Sequence, residues 1–150
     1  MRYMLVDRVT AWEAGVSIQG VKNITMSEDF LEYHFPRFPV MPGALIFEAL
    51  MQLAGWLEAA GSDFNRWILL EKVRSVRYYG FAFPGDQVLL NVEARGEEEG
   101  LKNFKGVATV EGERRVVADF AGKVAPLADY EDPEGQRHHF RVLRREVRLS

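Results

Sequence analysis

From Ala44 to Leu57, apolar residues fall at 44, 45, 46, 47, 49, 50, 51, 53, 54, 56 and 57. They cover every face of a 3.6-residue helix, which predicts a central helix buried on all sides. Pro36, Pro39 and Pro42 punctuate the approach, where fixed φ angles and missing N–H groups exclude regular structure. Pro42 suits a first helical turn, and Gly61 is expected to be the left-handed cap.

Other segments change period. Residues 3–10 and 15–25 read as strands, with Gly15 and Gly20 marking a turn and a bulge. Ser27 caps an expected short helical turn running to Leu31. Trp67 to Tyr79 reads as a long strand, and Gly80 to Asp86 breaks it with turn chemistry. Val88, Leu90, Val92 and Ala94 alternate with Leu89, Asn91, Glu93 and Arg95, the clearest strand signal in the chain. Glu97–Gly100 reads as a solvated hairpin tip, and Gly112 turns the chain between two further alternating runs. One long helix followed by an antiparallel meander predicts an α+β domain.

Past Pro126 the character shifts. Asp129, Glu131, Asp132 and Glu134 precede Arg137, Arg141, Arg144, Arg145 and Arg148, an order that complements a helix dipole. Asp132-Pro133 is a helix start, and Phe140, Leu143 and Val147 form one apolar stripe. Residues 1–125 are therefore expected to be the domain proper and 126–150 a tail with a short docking helix. The alternative is a partly ordered tail. His138 and His139 are adjacent, so on a helix they point about 100° apart and make a poor metal pair; a solvated pair is the simpler reading.

Composition narrows the class. At 150 residues, 47% hydrophobic and 27% charged, the chain has enough material for one soluble core. The absence of cysteine rules out disulfides and thiolate metal sites and suits a reducing, cytoplasmic setting. A net charge of −3 gives no reason to expect nucleic-acid binding. The first nine residues are too short and too soon charged for a signal peptide. The apolar run from Val40 to Leu57 contains Pro42, Gly43, Glu48 and Gln52, so it reads as a core helix and not a membrane span.

Candidate chemistry gathers before and within the helix. Glu48 and Gln52 lie one turn apart on one face. Burial would raise the Glu48 pKa from about 4.3 and equip it to donate a proton near neutrality. The alternative is a carboxylate that emerges at a crevice or pairs with an arginine. His34, among apolar residues inside the domain, titrates near about 6.5 and can accept a proton. Gly43 sits where first-turn N–H groups and the positive end of the helix dipole can polarise a carbonyl oxygen.

The run His34-Phe35-Pro36-x-x-Pro39-x-x-Pro42-Gly43-x-Leu45-x-x-Glu48-Ala49-x-x-Gln52 resembles the active-site motif of the FabZ-type β-hydroxyacyl-acyl-carrier-protein dehydratases. The similarity extends through Leu5-Val6-Asp7-Arg8-Val9, Lys22-Asn23-Ile24-Thr25, Phe83-Pro84-Gly85-Asp86-Gln87 and Phe104-Lys105-Gly106, covering roughly residues 3–125. The resemblance implies a hot-dog fold, an antiparallel sheet wrapped around a long helix. It implies a homodimer joined sheet edge to sheet edge, with a trimer of dimers left open. His34 of one subunit would face Glu48 of the other, and acyl-carrier protein would deliver the substrate. By position His34 is the base at the α-carbon, Glu48 the acid for the β-hydroxyl, Gly43 N–H the donor to the thioester carbonyl, and Gln52 the support for Glu48. No metal or organic cofactor is called for.

Two positions depart from the family pattern: Tyr33 and Arg37 stand where glycine is common, which narrows the tunnel entrance or re-aims the loop. Arg37, Arg74, Arg77 and the tail arginines are candidates for a basic rim facing the carrier, against ordinary surface ion pairing. A non-catalytic acyl-binding or partner subunit and a hot-dog thioesterase remain as the alternative functions.

Overall fold

The computed structural model describes residues 4–28 and 39–146. Strands β1 (Arg8–Glu13), β2 (Ser17–Asn23), β3 (Arg66–Tyr78), β4 (Gln87–Glu98), β5 (Leu101–Val110) and β6 (Glu113–Pro126) accompany helices α1 (Gly43–Gly61) and α2 (Pro133–Leu143). The strands form one sheet in the order β1-β2-β4-β5-β6-β3, antiparallel at every pairing. This is the hot-dog arrangement: the sheet curls around α1, and its inner face carries the alternating residues of the meander. Val88, Leu90 and Val92 of β4 are buried with Phe104 and Ala108 of β5 and Val116, Ala118 and Phe120 of β6. Against them α1 packs Ile46, Ala49, Leu50 and Leu53.

Several boundaries differ from the sequence expectation. The first strand begins at Arg8, not at residue 3, because Leu5 and Val6 are buried consecutively. The Leu5 N–H is taken by Gln52 Oε1 on α1 at 2.9 Å, so this stretch lies across the helix before the chain joins the sheet. The expected bulge is real, but it falls on β1 between Val9 and Ala11, opposite Gly20. β4 continues through Glu98, leaving only Glu99 and Gly100 as the hairpin tip, both at positive φ. Glu111 and Gly112 repeat that geometry, the left-handed pair that two-residue hairpins require.

Gly61 is the last residue of α1 and not its left-handed cap. Positive φ falls instead on Asp63 (56°) and Phe64 (62°). Phe64 is drawn into the core, and its N–H closes on Ala59 O at 2.7 Å, which places the reversal two residues later than glycine chemistry suggests. The expectation that α1 is buried all round holds only for its C-terminal half. In the N-terminal half Ala44 is exposed, while Leu45, Phe47, Glu48, Met51 and Gln52 are half-buried.

The helix expected from Asp132-Pro133 is present, with Asp132 Oδ2 accepting the Gly135 N–H at 3.2 Å. Phe140 and Leu143 are buried, whereas Val147 lies outside the described residues. Phe140 packs among Trp12, Trp56 and Phe64, fastening α2 to the body. Asp132→Ala should therefore cost about 1 kcal/mol, the usual value of an N-cap, read as faster hydrogen exchange across α2 and a lower urea midpoint.

Candidate active site

Pro42 precedes α1 with extended backbone (φ −56°, ψ 135°) and accepts the Leu45 and Ile46 N–H groups. The N–H groups of Gly43 and Ala44 have no acceptor among the described residues, as expected of a first helical turn. A Cβ at Gly43 would stand 2.5 Å from the Tyr78 ring, so only glycine lets that ring lie across the helix start. Met41, just upstream, pairs with Ala82 through a 2.9 Å N–H···O bond that fixes the helix start to the loop after β3.

Glu48 and Gln52 occupy the half-open face of α1. Gln52 Nε2 donates to Glu48 Oε1 at 3.4 Å while Gln52 Oε1 accepts from Leu5 N–H. The amide is thereby oriented by the backbone and in turn orients the carboxylate.

His34, Tyr33 and Arg37 lie outside the described residues, as does the expected helical turn beyond Glu28. Ser27 itself sits in a turn where Glu28 N–H reaches Thr25 O at 3.3 Å. The chain entering and leaving the histidine segment is anchored on both sides. Upstream, the buried Lys22 ammonium sits 2.6 Å from Glu28 and 3.5 Å from Asp7, whose carboxylate also accepts the Asn23 N–H at 2.7 Å. Ile24 and the Phe83–Asp86 turn exchange two backbone hydrogen bonds, Ile24 N–H to Asp86 O and Gly85 N–H to Ile24 O. Asp86 Oδ2 closes that turn on Phe83 N–H at 2.8 Å. Three motif stretches far apart in sequence, around Asp7, Lys22 and Asp86, therefore converge on the root of the histidine segment.

Sequence reasoning missed other residues. Glu58 is buried at 8% exposure between Arg66 and Lys102, each 2.8 Å away. Its place beyond Leu57, at the end of the apolar run, gave no sign of burial. His139 is not part of a solvated pair: it stacks on Trp56 at 5.3 Å with planes 29° apart, while His138 is exposed. Burial pushes the His139 pKa below the usual imidazole value, and neighbouring His138 acts in the same direction. Of the proposed basic rim, Arg74 donates to Asn103 Oδ1 at 3.0 and 3.2 Å and lies 3.8 Å from Glu98, which favours surface pairing there. No helix among the described residues is long and apolar enough to cross a membrane.

The FabA-like domain family matches residues 1–120 of the chain. The 3-hydroxyacyl-[acyl-carrier-protein] dehydratase FabZ of Nitratidesulfovibrio vulgaris is 40% identical over 130 residues, covering 85% of this chain and 84% of that protein. Its namesake from Janthinobacterium sp. is 34% identical over 137 residues, covering 89% of this chain and 88% of that one. Among solved structures, a Streptococcus mutans protein bound to acetyl CoA superposes with a TM-score of 0.65 at 16% identity, over 84% of this chain and 94% of that chain. The dehydratase heterocomplex ApeI:P of Xenorhabdus doucetiae gives 0.58 at 19% identity, over 77% and 92%. These two establish the fold alone. With most of its length matched by the family and by relatives of such identity, this chain belongs to the FabA-like family.

Proposed function

We propose that the chain is a dehydratase that converts a 3-hydroxyacyl thioester, carried on acyl-carrier protein, to the trans-2-enoyl thioester and water in fatty-acid or related lipid synthesis. The observation that carries the reading is the Leu5–Gln52–Glu48 relay on the open face of α1, beside a helix start whose Gly43 and Ala44 N–H groups have no acceptor among the described residues, in a chain whose relatives bear that activity. The thioester carbonyl accepts from Gly43 N–H, which acidifies the α-carbon. His34 takes the α-proton, the C–O bond at the β-carbon breaks, and Glu48 supplies the proton with which the hydroxyl leaves as water. Return of the proton from His34 to Glu48 through solvent restores the starting state.

The same reading makes the enzyme a homodimer. β3 is an edge strand of 13 residues, with Leu70 41%, Val73 46% and Tyr78 55% exposed. A long edge strand with unpaired backbone groups and exposed apolar side chains, here interspersed with Glu71, Lys72, Arg74 and Arg77, is covered when a second β3 extends the sheet. Light scattering should return the mass of two chains, or of six should dimers trimerise; a monomer at micromolar concentration would contradict the arrangement. Tyr33 and Arg37 are assigned to the tunnel entrance and the setting is cytoplasmic.

The test follows the enoyl-thioester absorbance with crotonyl and longer enoyl thioesters. Loss of the band through hydration supports the dehydratase. A folded dimer that hydrates no thioester but copurifies with an unchanged acyl chain would be a binding subunit, and release of free thiol would mark a thioesterase.

A further inference from the structure

Between β3 and β4 the chain makes a turn that one side chain closes twice over. In Phe83-Pro84-Gly85-Asp86 the Asp86 N–H reaches Phe83 O at 2.9 Å, and Gly85 has φ 94°, the positive value that a type II turn requires at its third residue. Asp86 Oδ2 then accepts the Phe83 N–H at 2.8 Å.

This turn holds the chain on both sides of the histidine segment. On one side Ile24 N–H reaches Asp86 O at 3.0 Å, and Gly85 N–H reaches Ile24 O at 2.8 Å. On the other side the oxygen of Ala82, the residue before Phe83, accepts the Met41 N–H at 2.9 Å. Ile24, Met41 and Ala82 are all buried. Only Pro42 stands between Met41 and Gly43, and its ring holds φ at −56°. A displacement of the turn is therefore passed to the start of α1 with little slack.

Resting on the dehydratase reading, we infer that Asp86 is a positioning residue: by closing the turn that carries Ala82 it sets, through Met41 and Pro42, where the Gly43 N–H meets the thioester oxygen. Asp86 serves here as a hydrogen-bond acceptor, so the task belongs to its carbonyl-like oxygen and not to its charge. A donor misplaced by about 1 Å can cost about 10²-fold in rate, so a small movement of the turn is enough to matter. Because the thioester oxygen gains charge as the reaction proceeds, the loss falls on kcat more than on KM.

The experiment measures kcat and KM for crotonyl-thioester hydration in wild type, Asp86→Ala, Asp86→Asn and Gly85→Ala, together with hydrogen exchange at the Met41 amide. Asp86→Ala should lower kcat at least about tenfold, change KM less than about threefold and speed exchange at Met41. Asp86→Asn keeps the acceptor and should stay within about threefold of wild type. Gly85→Ala leaves Asp86 in place and meets no atom within 4 Å, but it strains the same turn at positive φ. It should reproduce the loss, and it decides the matter should Asp86→Ala fail to fold. In a Gly43→Ala background, where the donor is already compromised, Asp86→Ala should cost less than about threefold further, whereas a merely structural role would cost the same in both backgrounds. Wild-type kcat in folded Asp86→Ala and Gly85→Ala, an Asp86→Asn as impaired as Asp86→Ala, or an undiminished loss in the Gly43→Ala background overturns the inference and leaves the dehydratase standing. No wild-type turnover with any thioester removes both.

Discussion

Glu48→Gln should lower kcat/KM for enoyl-thioester hydration by about 10² to 10⁴ while the protein stays folded, the range for loss of a general acid or base. Glutamine keeps the length and shape of the side chain, so the contact with Gln52 Nε2 survives as an amide pair. What disappears is the titratable proton. Glu48 is half-buried on the face of α1 that a single chain leaves open, so its exchange for a neutral isostere should leave thermal stability nearly unchanged. His34→Ala should fall by a similar factor. If the two act across the dimer, mixing the variants gives a sharper result: each homodimer is silent, but a heterodimer rebuilds one intact site from wild-type Glu48 of one chain and wild-type His34 of the other. Recovery of activity on mixing supports the shared site, while silence in folded heterodimers contradicts it. Wild-type rates in Glu48→Gln alone would remove the carboxylate from the chemistry altogether.

The sequence is most legible where one force decides the local structure. In β4 to β6 half of each strand is buried, so Val88, Leu90, Val92, Phe104, Ala108, Val116, Ala118 and Phe120 write the period of two directly into the chain. The helix around Glu48 is legible from its dense apolar positions, and the spacing from Pro42 to Gln52 puts the candidate residues Gly43, Glu48 and Gln52 on its first turns. Reading fails where two elements distant in sequence compete for a segment. Residues 4–7 look like a strand, yet Gln52 claims the Leu5 N–H and the ladder begins only at Arg8. Gly61 looks like a cap, yet the burial of Phe64 moves the left-handed turn to Asp63 and Phe64. His139, flanked by His138 and arginines, looks solvated; its neighbour Phe140 in the apolar stripe with Leu143 was the available sign that this side of α2 docks. Nothing local identified Trp56 as its partner, or Trp67 as the edge-on neighbour of that indole, because these contacts join α1 to α2 and to β3.

Gly43→Ala is expected to separate stability from catalysis: unfolding free energy should move by less than about 1 kcal/mol, while kcat/KM falls by about 10² to 10³. Alanine favours a helix over glycine by up to roughly 1 kcal/mol, which offsets the cost of crowding. The crowding itself is specific. The new Cβ would meet Cδ1 and Cε1 of Tyr78 at 2.5 Å, so this ring must shift for alanine to fit. The displaced ring then enters the space above the helix start, where the Gly43 N–H has no acceptor among the described residues and a thioester oxygen would have to sit. An oxyanion donor acts only within about 2.7 to 3.1 Å of that oxygen, so a small displacement of the substrate loses most of the effect. A double-mutant cycle with Tyr78→Ala assigns the cause. If the ring is responsible, Gly43→Ala costs little in the Tyr78→Ala background; if the carbonyl itself needs the open Cα, the loss persists without the ring. Full activity in Gly43→Ala would mean that the carbonyl is held elsewhere, and the role of the helix start in this site would have to be abandoned.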